Sequence, residues 1–176
     1  MSPRNSLILL YLKKLCLLIL IIIFFNSCGY KMAGVSKDSK KYKYYISSII
    51  NKDSESDYYN IMNEEIYHFF SAYALLKNNK EADYLLNISL ENVETDMVVK
   101  STTEQAIASQ IVPHLKIAVK DHTDKVIFTK EYTYYKIFYI TSNISTNIQN
   151  RYKAFREALQ DILLDFRSDF ESSRRM

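Results

Sequence analysis

Residues 82–91 alternate without a break: Tyr84, Leu86, Ile88 and Leu90 fall on one side, and Asp83, Leu85, Asn87, Ser89 and Glu91 on the other. A two-residue period puts successive side chains on opposite faces of a sheet, so this stretch is a half-buried strand and commits the chain to a sheet with one covered face. Residues 111–120 repeat the pattern, with Leu115, Ile117 and Val119 inward and His114, Lys116, Ala118 and Lys120 outward. Pro113 marks an edge or a bulge near the start of that strand. Asp121, His122, Thr123 and Asp124 form a tight polar turn, and 125–135 returns with Val126, Phe128, Tyr132 and Tyr134 on one face, which closes a hairpin. A polar connection is predicted over 93–105, between the first two of these strands.

Two longer apolar stripes supply the cover. Ser56 or Asp57 can cap a helix in which Tyr58, Ile61, Met62, Ile66, Phe69, Tyr73 and Leu76 recur at three- and four-residue steps, ending near Leu76 or Lys77. A second helix follows the polar run 141–147, with Ile148, Tyr152, Phe155, Leu159, Ile162, Leu163, Phe166 and Phe170 along one side. Residues 42–50, rich in Tyr and Ile, suit a first strand. The expected fold is α+β: a two-layer sandwich of order β-α-β-β-β-α, with both helices on one face of a small mixed four-stranded sheet. One domain spans 42–171, and a charged tail occupies 172–176.

The chain upstream of that domain has another character. Arg4, Lys13 and Lys14 precede an unbroken apolar run over 15–25, the anatomy of a secretory leader and short for a membrane span. Ser27 then puts a small residue directly before Cys28. A lipoprotein peptidase needs that small residue to reach the bond, and the thiol must be free to accept diacylglycerol. The stretch resembles a lipobox, which makes 1–27 a removed signal peptide and Cys28 the acylated first residue of the mature chain. The competing reading is an uncleaved anchor helix that includes 7–12 and is interrupted by Lys13 and Lys14. Each buried methylene is worth roughly 0.8 kcal/mol, so a diacylglycerol and an N-acyl chain such as palmitate on Cys28 hold a protein on a bilayer essentially permanently. Gly29 is not the aspartate that retains enteric lipoproteins in the inner membrane, which favours the periplasmic face of an outer membrane.

Residues 28–41 form a tether, and between 31 and 43 it carries Lys31, Lys37, Lys40, Lys41 and Lys43. It is either a solvated linker or a basic collar against anionic lipid.

Charge and chemistry then remove several function classes. Without the leader's three cations, the 23 basic residues fall to 20 against 20 acidic ones, so the mature chain lacks the surplus of a nucleic-acid binder. Cys16 leaves with the leader and Cys28 is acylated, so no disulfide braces the domain. Gly29 and Gly34 are the only glycines, which rules out a glycine-rich phosphate loop and a serine nucleophile elbow. His68, His114 and His122 stand apart from one another, with no cysteine or carboxylate at metal-ligand spacing. No enzyme, metal or cofactor is expected.

Cys28-Gly29-Tyr30 followed by Gly34 resembles the cysteine-glycine-aromatic-x-x-x-glycine start of the LptE family, the lipopolysaccharide-assembly lipoproteins of the outer membrane. The element order, the hairpin around 121–124 and the long C-terminal helix are similar to that family across 28–170. The resemblance implies a non-enzymatic plug that sits inside a large LptD-type barrel, helps it fold, and contacts lipopolysaccharide on its way to the Gram-negative cell surface. The alternative is another periplasm-facing lipoprotein, such as an auxiliary component of a phospholipid or ABC transport system.

An up-down-up course of the three strands would bring 93–105 and the segment after Tyr135 to one end of the sheet. Lys100 and Lys136 are then neighbours at one tip and candidates for contact with lipopolysaccharide phosphate, where family members carry basic residues. The alternative is two solvated lysines. Leu85, Ile127 and Tyr135 on the outward face are expected to form a patch against the barrel wall.

Overall fold

The computed structural model describes residues 42–73, 75–100 and 106–174; the leader, Cys28 and the 28–41 tether lie outside the described residues. The elements are β1 (Tyr44–Asn51), α1 (Asp57–Ala72), β2 (Tyr84–Lys100), β3 (Ala106–Lys120), β4 (Val126–Thr133), β5 (Lys136–Tyr139) and α2 (Ile144–Ser173). The sheet runs β1-β2-β3-β4, with β5 also paired to β3. β1 lies parallel to β2 and every other pairing is antiparallel. The expected mixed sandwich is therefore present, with one strand more than predicted.

The inward alternation fills the core as expected. Leu86, Ile88 and Leu90 of β2, Leu115, Ile117 and Val119 of β3, and Met62, Ile66, Phe155, Leu159, Ile162, Leu163 and Phe166 of the helices are all buried. No disulfide braces these described elements, so stability rests on this packing and, at one end, on aromatic rings. Phe166 is fully buried, with ring centroids 6.3 Å from Tyr44, 6.4 Å from Phe70, 6.1 Å from Phe128 and 6.0 Å from Phe170. Those partners come from β1, α1, β4 and α2, so one side chain ties four elements together.

Across the two helices runs a polar seam. Arg151 meets Glu55 at 3.0 Å, Tyr152 donates to Asp57 at 2.6 Å, Arg156 meets Glu64 at 2.8 Å, and Gln160 donates to Glu65 at 3.0 Å. The bond to Asp57 pushes the Tyr152 phenol up to about 12. Exposed pairs of this kind contribute little energy each, and here they fix the register of one helix against the other.

Four boundaries differ from the sequence reading. Residues 93–100 are not a polar connection, because β2 continues to Lys100 and pairs along its length with β3, which begins at Ala106; 101–105 lie outside the described residues. α1 ends at Ala72, before Leu76, since Leu75 and Lys77 turn to bracket the edge of β1: Tyr44 N donates to Leu75 O at 2.7 Å and Lys77 N donates to Tyr44 O at 2.8 Å. The Leu75 N–H also donates back to Phe70 O at 2.9 Å, the six-to-one bond that closes a Schellman helix end. α2 begins at Ile144, before Ile148, because the Asn143 side chain accepts from Thr146 N at 3.1 Å. It ends at Ser173, two residues into the expected tail.

Pro113 explains the fifth strand. β4 pairs with β3 as far as His114, and β5 takes over at Ile111, so Val112 and Pro113 have no partner on that side. Proline offers no N–H to a ladder, and the neighbouring strand breaks at Tyr134 and Tyr135, opposite it. The 121–124 turn is as expected: the Asp121 carboxylate accepts from Thr123 N at 2.8 Å and Lys125 N at 3.1 Å, and Asp124 takes φ 63°.

Tyr44 carries a flaw. It is 1% exposed and its hydroxyl has no hydrogen-bond partner, and burial drives its pKa well above the ordinary tyrosine value. A buried donor left unpaired costs about 1–3 kcal/mol. Tyr44→Phe is therefore expected to stabilise the protein by about 1 kcal/mol in urea unfolding; a loss of stability would show that the hydroxyl is satisfied in solution.

Candidate docking surface

The end of the β2–β3 hairpin, beyond the buried Ile111, Ser109 and Phe138, extends past the core. Cross-strand partners share a face, so the register sorts its side chains. Val99, Ala108 and Tyr139 align on one face, together with Asp96, Gln110 and Ile137. Met97, Ser109 and Phe138 align on the other, where Ser109 and Phe138 are still buried, and Ile107 lies two positions before Ser109, nearer the end of the hairpin. Val99 (43%), Ile137 (50%) and Tyr139 (72%) are exposed on the first face, as are Met97 (62%) and Ile107 (45%) on the second. This end of the sheet is a blade with uncovered apolar groups on both sides.

The blade is braced from below. Asn150 of α2 donates to Tyr139 O at 2.9 Å, Ile140 N donates to Ile107 O at 3.1 Å, and Asn147 bonds both Thr141 N and Thr141 Oγ1. Between β5 and α2 lies a shallow cleft of ≈ 170 Å³ lined by Ile137, Tyr139, Asn150 and Lys153. At the first turn of α2, Ile144 is 77% exposed and extends the apolar surface. Most of the polar groups nearby are partnered: Gln110 donates to Asp96 at 3.4 Å, and Lys136 pairs with Asp161 at 2.6 Å. Such an arrangement offers contact area on two faces at once, suited to an enclosing surface better than to a flat one.

The two lysines predicted to share a tip do not. Lys100 is the last residue of β2 and faces Ala106 in the ladder, with its side chain outside the described residues; Lys136 faces Ile111, five positions down β3 and so about 16 Å away. The Lys136 ammonium turns toward the helix layer, and the hydrogen bond it donates to Asp161 raises its pKa. Lys120 and Lys130 are also committed, to Asp124 at 2.8 Å and Asp169 at 2.7 Å.

The expected outward patch separates as well. Ile127 is half-buried and packs against the core, and Leu85 is half-buried beside Lys120 near the 121–124 turn. Tyr135, at 63% exposure, belongs with Ile137 and Tyr139 at the opposite end. His114, on the uncovered face, lies 3.2 Å from Glu94 but out of line for a hydrogen bond. The blade itself went unread because its apolar residues face both ways; the run Met97-Val98-Val99 within a supposed polar connection was its one signal. No helix among the described residues is long and apolar enough to cross a membrane.

The rare lipoprotein B from Shewanella oneidensis superposes with a TM-score of 0.51 over 71% of this chain and 98% of that one, at 13% identity. The fold is one used by bacterial lipoproteins. A hypothetical protein from Chlamydia trachomatis matches equally, with a TM-score of 0.51 over 71% of this chain and 95% of its own, at 11% identity. A minor lipoprotein from Acinetobacter baumannii is similar at 0.48, over 76% of this chain and 93% of its own, at 12% identity. At such identities the two matches at 0.51 show a shared architecture and nothing about partners. No family model and no curated protein matches the sequence.

Proposed function

We propose that this chain is an outer-membrane lipoprotein of the LptE type, without enzymatic activity, acylated on Cys28 and facing the periplasm. Its blade enters the lumen of a large LptD-type barrel, assists that barrel's assembly, and lies beside the route of lipopolysaccharide. The observation that carries the reading is the two-faced apolar blade, because a lumen can cover both sides of a strand pair where a bilayer surface covers one. The fold shared with rare lipoprotein B supports it. Lys100, at the end of β2, stands where a lipopolysaccharide phosphate would pass, whereas Lys136 would first have to release Asp161.

The test is purification of the acylated protein from native membranes in mild detergent. A large β-barrel is expected to accompany the wild-type chain. Covering an apolar side chain is worth roughly 1.5–3 kcal/mol, so Val99→Asp with Ile107→Asp is expected to weaken the complex about a hundred-fold or more. Both positions are exposed, so the urea midpoint of the isolated variant should stay close to that of the wild type. Recovery of an inner-membrane transporter in place of a barrel would favour an auxiliary transport role and overturn the proposal.

A further inference from the structure

The opposite end of the domain, where the chain enters from residue 41, has a different surface. The first described residue, Tyr42, packs its ring 5.6 Å from Tyr84 and 5.8 Å from Phe170, which fixes the entry point beside the start of β2 and the end of α2. Lys77 N bonds Tyr44 O, and Asp83 N and Tyr84 N bond Lys43 O, so the 77–83 loop lies at this end. Leu85 pairs with Lys120, which brings the 121–124 turn and Lys125 here too. Arg174 closes the group, 5.4 Å over the Tyr84 ring.

Five exposed cations collect there with no ion-pair partner among the described residues: Lys43, Lys77, Lys80, Lys125 and Arg174. Elsewhere, of the basic side chains described, Lys116 alone is unpaired. The acids at the same end are largely engaged. Asp83 accepts from Lys43 N at 2.8 Å, Asp121 holds its turn, Asp124 binds Lys120 and Glu171 binds Arg167, leaving Glu81.

We propose that this end is a docking surface for anionic phospholipid headgroups, so that before a barrel is engaged the domain stands with its entry end on the leaflet and its blade pointing away. The inference rests on the reading that Cys28 is acylated, which brings the tether to that leaflet. It adds an orientation for the domain on a bilayer before a barrel takes up the blade. From Tyr84 to Lys100, β2 rises about 50 Å, so with the entry end docked and no barrel present the blade stands clear of the headgroups. Exposed lysine and arginine bind lipid phosphate as charges, each one changing the docked-to-undocked ratio about five-fold, and salt screens them.

The mature acylated protein has no free thiol on this reading, so a single fluorophore can be attached at Asn79→Cys, on the entry end, or at Val98→Cys, on the blade. Energy transfer to headgroup-labelled lipid is then measured on phosphatidylcholine vesicles with and without phosphatidylglycerol. The expected result is strong transfer from position 79 and weak transfer from 98, dependent on phosphatidylglycerol and lost at high salt. Lys43→Glu, Lys77→Glu and Lys80→Glu together should lower docking about a hundred-fold. Equal transfer from the two positions, stronger transfer from 98, or indifference of the wild type to phosphatidylglycerol and salt would overturn the proposal. If the protein is acylated and vesicle-bound in those cases, this inference alone falls. A protein that carries no acyl chain and stays off the vesicles defeats the lipoprotein reading as well.

Discussion

Phe166→Ala is expected to cost about 4 kcal/mol of folding stability, the upper range for a buried aromatic replaced by alanine. The residue is fully buried, and its ring meets rings from β1, α1, β4 and α2, so no single neighbour can move in to refill the space. Close-packed interiors relax only partly around such a void. Small domains hold roughly 5–15 kcal/mol in all, so the variant should sit near the limit of folding, with a midpoint temperature lowered by roughly 10 °C or more. Leu164→Ala on the same helix is the control: at 45% exposure it should change stability by about 0.5 kcal/mol or less. Thermal and urea unfolding of the two variants decide the matter. Equal effects would mean that the aromatic cluster is not what joins the layers.

Cys28→Ala has the largest expected consequence outside the domain. If the thiol accepts diacylglycerol before the leader is cut, its loss blocks both steps. Incorporation of labelled palmitate should fall to background, and the product should keep the 27 leader residues that the wild type loses. The alternative, an uncleaved N-terminal anchor helix, predicts masses that differ only by the lost sulfur atom and no label in either. Intact-mass measurement separates the two directly. A wild-type chain that begins at Met1 with a free sulfhydryl would end the lipoprotein reading.

Much of the architecture was legible because the sequence is regular where one face is buried. Leu86, Ile88 and Leu90, then Leu115, Ile117 and Val119, alternate with polar residues since the helices cover one side of the sheet and water the other. Past Val93 that asymmetry disappears from β2. Met97, Val98 and Val99 are all exposed, periodicity has no covered face to report, and the strand reads as a connection. β5 escaped for a related reason: nothing in Tyr134-Tyr135-Lys136-Ile137 signals a turn, because the break is imposed from the neighbouring strand by Pro113. Lys136 shows the limit of placement by topology. Strand direction gave the correct end of the sheet, but only side-chain packing reveals that its charge is taken by Asp161.

The most direct test of the account is a photo-reactive residue in place of Ile107, activated in living cells and followed by identification of what it captures. The account predicts one dominant adduct, a large outer-membrane β-barrel. Capture of lipid alone, or of an inner-membrane transporter subunit, would contradict it.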